Sequence, residues 1–437
     1  MAEVVVGVDV GSSGSRAVAI DRRGHVVATA EAGHAPSPLP RGEADPAEWR
    51  RGAVAAIRGL RVRPQAIGIG GQGPTTVADT GTRALTLRHP AGAGGGMAEQ
   101  PVAQAAALRA LLEGDVVPRQ LWDWLVTSLG GDSGFQSVWP GSSPLAGFGE
   151  PIAVGTAAGV TATGSGLPAG IPLAPGCNDA FMTAWGSGVD APGKGFDPGG
   201  TTGGLGVAIS AADHPALAAF GMASHIPGVV IVGGPTAAHG AMMGWWSRVT
   251  GRPVDELIAA AGAVPPGAHG VMVLPFFEGE RAPRWNPALR AEIVGLHLEH
   301  GTAVVTRALL ESAAYGLAHI ARDLRAQGVG LDRVVCSGGP SRSALWTGIK
   351  AAVLEVPFDV PACEQMASYG AALAAGAGIG WWPRPGEGKP GAWPQPAMTT
   401  VTPEPLEVYR ANVDRFIALG DAAEARIASE TTRRVET

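Results

Sequence analysis

The stretch Val4-Val-Val-Gly-Val-Asp9-Val-Gly-Ser-Ser-Gly-Ser-Arg16-Ala-Val-Ala-Ile-Asp21 leaves this chain few folds to choose from. A β-branched run meets an aspartate, crosses a Gly/Ser turn and re-enters alternating Ala, Val and Ile, so the spacing predicts a β-hairpin with a polar tip. Near the middle of the chain, Phe196-Asp197-Pro-Gly-Gly200-Thr-Thr-Gly203-Gly-Leu-Gly-Val-Ala-Ile209 repeats the plan. One such hairpin is an ordinary turn. Two, each opening one half of a chain, are what a duplicated fold uses to hold a polyphosphate from both sides. With 437 residues, 46% of them hydrophobic, there is material for two cores of about 200 residues each. Val189-Asp-Ala-Pro-Gly193 marks the break, giving expected domains over 1–188 and 189–437.

The first tip has the composition of an anion site. Its glycines, Gly11 among them, let backbone N–H groups point inward; Ser12, Ser13 and Ser15 add donors, and Arg16 adds a permanent charge. Asp9 at the mouth of the turn would repel a phosphate unless a hydrated Mg²⁺ stood between them. The tip therefore points to a metal-nucleotide, not to bare phosphate.

Charge and cysteine usage exclude other classes. Net charge is −6 without a block of like charges, so nucleic acid and anionic membrane are not expected partners. Cys177, Cys336 and Cys363 are odd in number and widely spaced, which fits neither a disulfide framework nor a zinc cluster and favours a reducing cytoplasm. Asp9 interrupts the first apolar run, so that run is expected to be a strand, not a signal segment. Ala371–Trp382 is too short to span a bilayer and reads as a close-packed Ala/Gly helix closing the second half.

Between the hairpins, Asp45-Pro46 predicts a helix start, and the helix runs to about Arg58. A buried strand over 66–70 leads into Gly71-Gln72-Gly73-Pro74-Thr75-Thr76. Gly68, Gly70 and Gly73 satisfy G-x-G-x-x-G, yet Pro74 stands where a dinucleotide fold would begin its helix, so a nicotinamide-dependent oxidoreductase is rejected. Gly188–Lys194 mimics a P-loop but lacks the following Ser or Thr. Residues 128–150 are Gly/Ser/Pro-rich and expected to be irregular. At Gly176-Cys-Asn-Asp179 a short strand runs into a small-residue helix; Asp179 reads as a helix cap, or as a general base if a phosphoryl acceptor lies within reach. In the second half, helices are expected over 236–250 and 303–326. A strand over 333–337 ends at Gly338-Gly339-Pro-Ser-Arg-Ser343, where glycines allow a flat nucleoside to lie on the backbone.

Taken together, Asp9–Arg16, Gly176–Asp179, Gly200-Thr201-Thr202-Gly203, Leu274-Pro-Phe-Phe-Glu-Gly-Glu-Arg281-Ala-Pro283 and Ser337–Trp346 resemble the motifs of the FGGY carbohydrate kinases, in that family's order. The resemblance implies an α/β fold of two ribonuclease H-like domains, of the actin/hexokinase/Hsp70 ATPase type, with an interdomain active-site cleft. It implies ATP and Mg²⁺ as cofactors, Asp9 as the metal carboxylate, and Asp179 as the base that takes the proton from the acceptor hydroxyl. Gly11, Ser12, Ser13, Ser15 and Arg16 match the first phosphate loop and Gly200, Thr201, Thr202 and Gly203 the second. Gly338, Gly339 and Ser343 match the adenosine motif; Gln72, Gly73, Asn178 and Asp179 fall on the acceptor side. The activity implied is phosphorylation of a sugar or polyol hydroxyl, a xylulose-like ketose first, by a protein that a homodimer would suit.

This chain departs from the family on the acceptor side. Xylulokinase-like members have Met-His where it has Gly73-Pro74, and a Trp-x-Asp-x-Arg segment where it has the loop Leu87–Gly96. Polar partners for a sugar are therefore expected to be missing, and a catalytically silent ATP-binding homologue acting as a sensor or partner-binding protein is the alternative.

Overall fold

Val4–Val10 and Gly14–Asp21 pair antiparallel, with Val4 opposite Asp21 and Val10 opposite Ser15, so the opening hairpin forms as its pattern predicts. This computed structural model describes residues 3–92, 99–200, 202–236 and 238–435. Its two compact units are each discontinuous in sequence. The first comprises Met1–Asp190, Ala223–Val229 and Gln365–Ala397, the second Ala191–Met222, Val230–Glu364 and Met398–Thr437.

The first unit is built on a five-stranded sheet in the order Leu173–Asn178, Ile67–Gly71, Val4–Val10, Gly14–Asp21, Val26–Gly33. Val4–Val10 runs parallel to Ile67–Gly71, which runs parallel to Leu173–Asn178. Every residue of the central strand is buried, which accounts for its continuous apolar run where a half-exposed strand would alternate. The helix Pro46–Gly59 begins as expected, with Asp45 Oδ1 accepting from Ala47 N at 2.9 Å. A pair of short parallel strands, Phe135–Val138 and Glu150–Ala153, lies in the stretch expected to be irregular.

The Ala/Gly helix Met366–Gly378 packs on this first sheet and does not close the second half. Small residues on both sides make the approach possible: a Cβ on Gly7 would overlap the Ser368 carbonyl, and one on Gly68 would overlap the Ala371 carbonyl. Gly186 and Gly370 serve the crossing of the same helix with Asp179–Gly186 in the same way. Two glycines of the G-x-G-x-x-G match are thus explained by packing. Gly68 admits the helix, and Gly70 faces Met182 and the Cys177 carbonyl.

In the second unit the order is Val229–Pro235, Gly204–Ser210, Lys194–Asp197, Arg333–Cys336, Phe358–Pro361, flanked by Met222–Ala223 and Met398–Val401. Lys194–Asp197 pairs antiparallel with Gly204–Ser210 and parallel with Arg333–Cys336, which pairs parallel with Phe358–Pro361. Both sheets therefore share one ribonuclease H-like order. Sequence reading missed the third strand, Val229–Pro235, and with it the completed repeat. The helix expected over 236–250 starts only at Gly240, because Thr236 N is engaged by Gly203 O at 3.0 Å. The long helix Thr302–Ala326 lies in the core, where Leu309, Leu310, Ala314 and Leu317 are wholly buried. Among the described residues no helix is long and apolar enough to cross a membrane.

Candidate active site

In the first unit, Asp9 lies near the C-terminal end of the central strand, opposite Gly70 of the neighbouring strand. It is buried, and its Oδ1 has no hydrogen-bond partner. The turn beyond it is closed by Gly11 N donating to Gly14 O at 3.0 Å, with Ser12 and Ser13 exposed at the tip. Ser15 is different: it is fully buried, and its hydroxyl lies 2.9 Å from His34 Nε2. Arg16 is part exposed and 3.8 Å from Glu31, a contact loose enough to leave the guanidinium available.

Asp179 is the first residue of the helix Asp179–Gly186, and the cap is Asn178, whose Oδ1 accepts from Ala180 N at 2.8 Å. The cap assignment considered for Asp179 thus belongs to its neighbour. The Asp179 carboxylate, half-buried, also accepts from Ala180 N at 2.9 Å. Burial and the nearby negative charge of Asp9 push Asp179 up to about 7, and burial pushes Asp9 up to about 6 against the pull of Arg16. A like charge nearby in a desolvated place makes Asp179 harder to ionise. A divalent cation fits this arrangement, since it would satisfy the orphaned Asp9 oxygen and relieve the repulsion. No group of three or more metal-type side chains occurs among the described residues, so the rest of its shell would be water and ligand oxygens.

On the acceptor side, Gln72 N donates to Val10 O at 2.8 Å. Gly73 is hemmed in: a Cβ there would lie 2.6 Å from Asn178 Nδ2 and 3.3 Å from Trp122 Cζ3, which explains why no methionine stands at this place. Part of the Leu87–Gly96 loop lies outside the described residues. Polar groups are nevertheless present. Thr75 Oγ1, Gln120 Nε2 and Trp122 Nε1 are buried without hydrogen-bond partners, on segments joined by Leu121 N donating to Thr75 O. The sequence reading did not single out Gln120 or Trp122, whose distance in sequence from Gly73 hid them.

In the second unit, the turn after Lys194–Asp197 rests on two other segments. Gly199 adopts φ 46° and Gly338 φ 74°, and a Cβ on either would overlap the other segment's backbone. Gly240 N donates to Gly200 O at 3.0 Å. Gly200, Gly203, Gly338 and Gly339 are thus brought together by direct backbone approach; Thr202 is exposed, and Thr201 lies outside the described residues. Ser343 caps the helix Ala344–Leu354 by accepting from Trp346 N at 3.1 Å, so its hydroxyl has a structural use.

Two residues under this turn escaped the sequence reading, Lys350 and His239. Lys350 Nζ lies 2.6 Å from Asp197 Oδ2, and neither side chain has any exposure. Burial pushes the Asp197 carboxyl up, but Lys350 and His239 outweigh it and hold it below its ordinary value. Lys350 is held above its own by Asp197 despite burial. His239, wholly buried, stacks on Trp346 with ring centroids 4.9 Å apart. Burial, helped by the Lys350 charge, lowers His239 to about 3, so its ring is neutral; neither nitrogen has a hydrogen-bond partner, and Nε2 lies 3.9 Å from Asp197 Oδ2. Lys350 could have been noticed as one of only three lysines in the chain. Nothing in the sequence distinguishes His239.

Residues 199–379 match the family described as "FGGY family of carbohydrate kinases, C-terminal domain". Among curated relatives, a xylulose kinase of Staphylococcus epidermidis is 26% identical over 159 residues, 36% of this chain and 32% of the relative. A glycerol kinase of Gloeobacter violaceus is 36% identical over 129 residues, 29% of this chain and 26% of the relative. The matched stretch spans about a third or less of those relatives' length. A crystal structure of xylulose kinase from Rhodospirillum rubrum superposes with a TM-score of 0.74 at 24% identity, covering 97% of this chain and 99% of that one. The fold is that of the two-domain actin/hexokinase-type ATPases.

Proposed function

We propose that this chain, which carries the C-terminal domain of the FGGY family of carbohydrate kinases, phosphorylates a sugar or polyol hydroxyl at the expense of ATP. The observation that carries the reading is Asp179. It is a carboxyl whose pKa is raised to about 7 by burial and by Asp9, at the start of a helix and near a second carboxylate that has an oxygen without a hydrogen-bond partner. A general base works best with a pKa near the pH at which it operates.

The roles divide between the units. In the first, ionised Asp179 accepts the proton of the acceptor hydroxyl as its oxygen bonds to the γ-phosphorus and the bond to ADP breaks. Asp9 holds Mg²⁺, which supplies charge neutralisation to the phosphates when bound. Ser12, Ser13 and Arg16 offer N–H groups, hydroxyls and a cation to phosphate oxygens. In the second, the Gly199–Gly203 turn and the Gly338–Gly339 backbone receive the nucleotide. The neutralised Asp197–Lys350 pair lets a polyphosphate approach without repulsion.

A polyhydroxylated acceptor is supported by the unsatisfied Thr75, Gln120 and Trp122, which call for oxygen partners. We place a xylulose-like ketose first, in line with the xylulose kinases among the relatives. ADP release from Mg-ATP is measured against ketoses, polyols, aldonic acids and cyclitols. One acceptor class raises turnover in the wild type, and Asp179→Asn abolishes that turnover while ATP still binds. Retained turnover in Asp179→Asn would overturn the base. Silence across the panel with ATP bound would favour the non-catalytic alternative.

A further inference from the structure

The segment Phe276–Pro283 has no part in the roles above, and it contains a half-buried cation, Arg281, without an anion among the described residues. Its two arginine neighbours differ sharply. Arg284 is held by Glu280 Oε2 at 2.8 Å, by Asp421 Oδ1 at 2.7 Å and by the Ile417 carbonyl at 2.9 Å. Arg281 is half-buried, and among the described residues its guanidinium has no hydrogen-bond or ion-pair partner. Burial alone lowers it, with no carboxylate offsetting the loss. Evolution rarely leaves a desolvated guanidinium without an anion, because the charge is costly to bury unpaired.

The backbone shows where Arg281 sits. Ala282 N donates to Pro235 O at 3.0 Å, and Thr236 N donates to Gly203 O at 3.0 Å. The arginine is thereby stitched, through the end of Val229–Pro235, to the rim of the Gly199–Gly203 turn. Other polar atoms on that rim are also unsatisfied. Thr236 Oγ1 has no partner, nor has either nitrogen of His239, whose Nδ1 a Cβ on Gly203 would strike. The Arg281 guanidinium and the Thr236 hydroxyl, from separate elements, are thus left without hydrogen-bond partners near one glycine turn, an arrangement that an oxyanion satisfies.

We propose that Arg281, assisted by Thr236, is an anion anchor of the second unit that binds the phosphate chain of the nucleotide beside the Gly199–Gly203 turn. The inference rests on reading this unit as the nucleotide-binding half. An anionic group on the acceptor has the same chemistry, and the test separates the two sources.

Calorimetric titration of the full chain with ADP, pyrophosphate and adenosine is compared for wild type, Arg281→Gln and Arg281→Lys. Loss of a charge-assisted pair predicts affinity for ADP and pyrophosphate about 10- to 100-fold weaker in Arg281→Gln, with Arg281→Lys between. Adenosine affinity should change less than about twofold by the same reasoning. Ligand-free Arg281→Gln should be as stable as wild type or more so, since no bond is lost; a merely structural arginine would destabilise. Equal ADP affinity in wild type and Arg281→Gln, an equal loss for adenosine, a lower ligand-free stability, or a change confined to the acceptor KM would each overturn the anchor. A wild type that binds neither ADP nor pyrophosphate would overturn the nucleotide reading and the anchor with it.

Discussion

Removing Lys350 tests the energetics of the second unit directly. In Lys350→Met the ammonium 2.6 Å from Asp197 disappears from a place with no solvent exposure. The stranded carboxylate keeps Gly199 N at 3.1 Å, the Cys336 thiol at 3.7 Å and the neutral His239 ring at 3.9 Å. Breaking a buried pair on one side costs about 3–5 kcal/mol, whereas replacing both partners by neutral groups is often near neutral. Lys350→Met should therefore cost about 3–5 kcal/mol, and Lys350→Met with Asp197→Asn no more than about 2. Two compact units need not unfold together, so the readout is hydrogen exchange of the amides in Ala344–Leu354 under mild denaturant. Acid should reproduce the effect. The Asp197 carboxyl is depressed in the fold, so the pair's contribution is complete above the unfolded aspartate value and is lost as pH falls through the folded one. A single-variant cost below about 1 kcal/mol, or a double variant as damaged as the sum of the two singles, would refute the argument.

Other perturbations have equally definite outcomes. Asp123, buried beside Ser137, is pushed up to about 8, mainly by burial. Stability should fall by about 1.4 kcal/mol per pH unit from roughly pH 4 to 8, and Asp123→Asn should flatten that slope in urea titrations. Gly7→Ala sets a methyl against the Ser368 carbonyl and should cost about 1–3 kcal/mol or more, seen as a lower Tm. Asp9→Asn should abolish Mn²⁺ binding detected by electron paramagnetic resonance; binding retained at wild-type affinity would remove Asp9 from the metal's shell.

Both hairpins could be read from the sequence because β-branched runs broken by Gly/Ser or Gly/Thr have few other conformations. Their shared sheet order could not. Val229–Pro235 carries Gly233 and Gly234 in its run and lacks a turn signal strong enough to set it apart. The helix Met366–Gly378 was recognised by composition, but composition does not say which sheet an Ala/Gly face will meet; only the matching glycines at 7 and 68 reveal it. Asp9 and Asp179 were legible because motif order brought them into one argument. His239, Lys350, Gln120 and Trp122 were not, because each lies far in sequence from the motif beside which it is buried.

The twin aspartates differ in one respect that reaches beyond structure. Asp197 has its counter-ion supplied by translation, as a side chain fixed in the same polypeptide. Asp9, at the matching place in the other sheet, has an oxygen with no such companion. One sheet thus carries a fully enclosed counter-charge for its aspartate, while the other leaves its aspartate with the more distant pull of Arg16. If Asp9 takes up a divalent cation, as proposed, swings in free divalent cation would be felt at that sheet, giving a repeated architecture a port through which ionic conditions act.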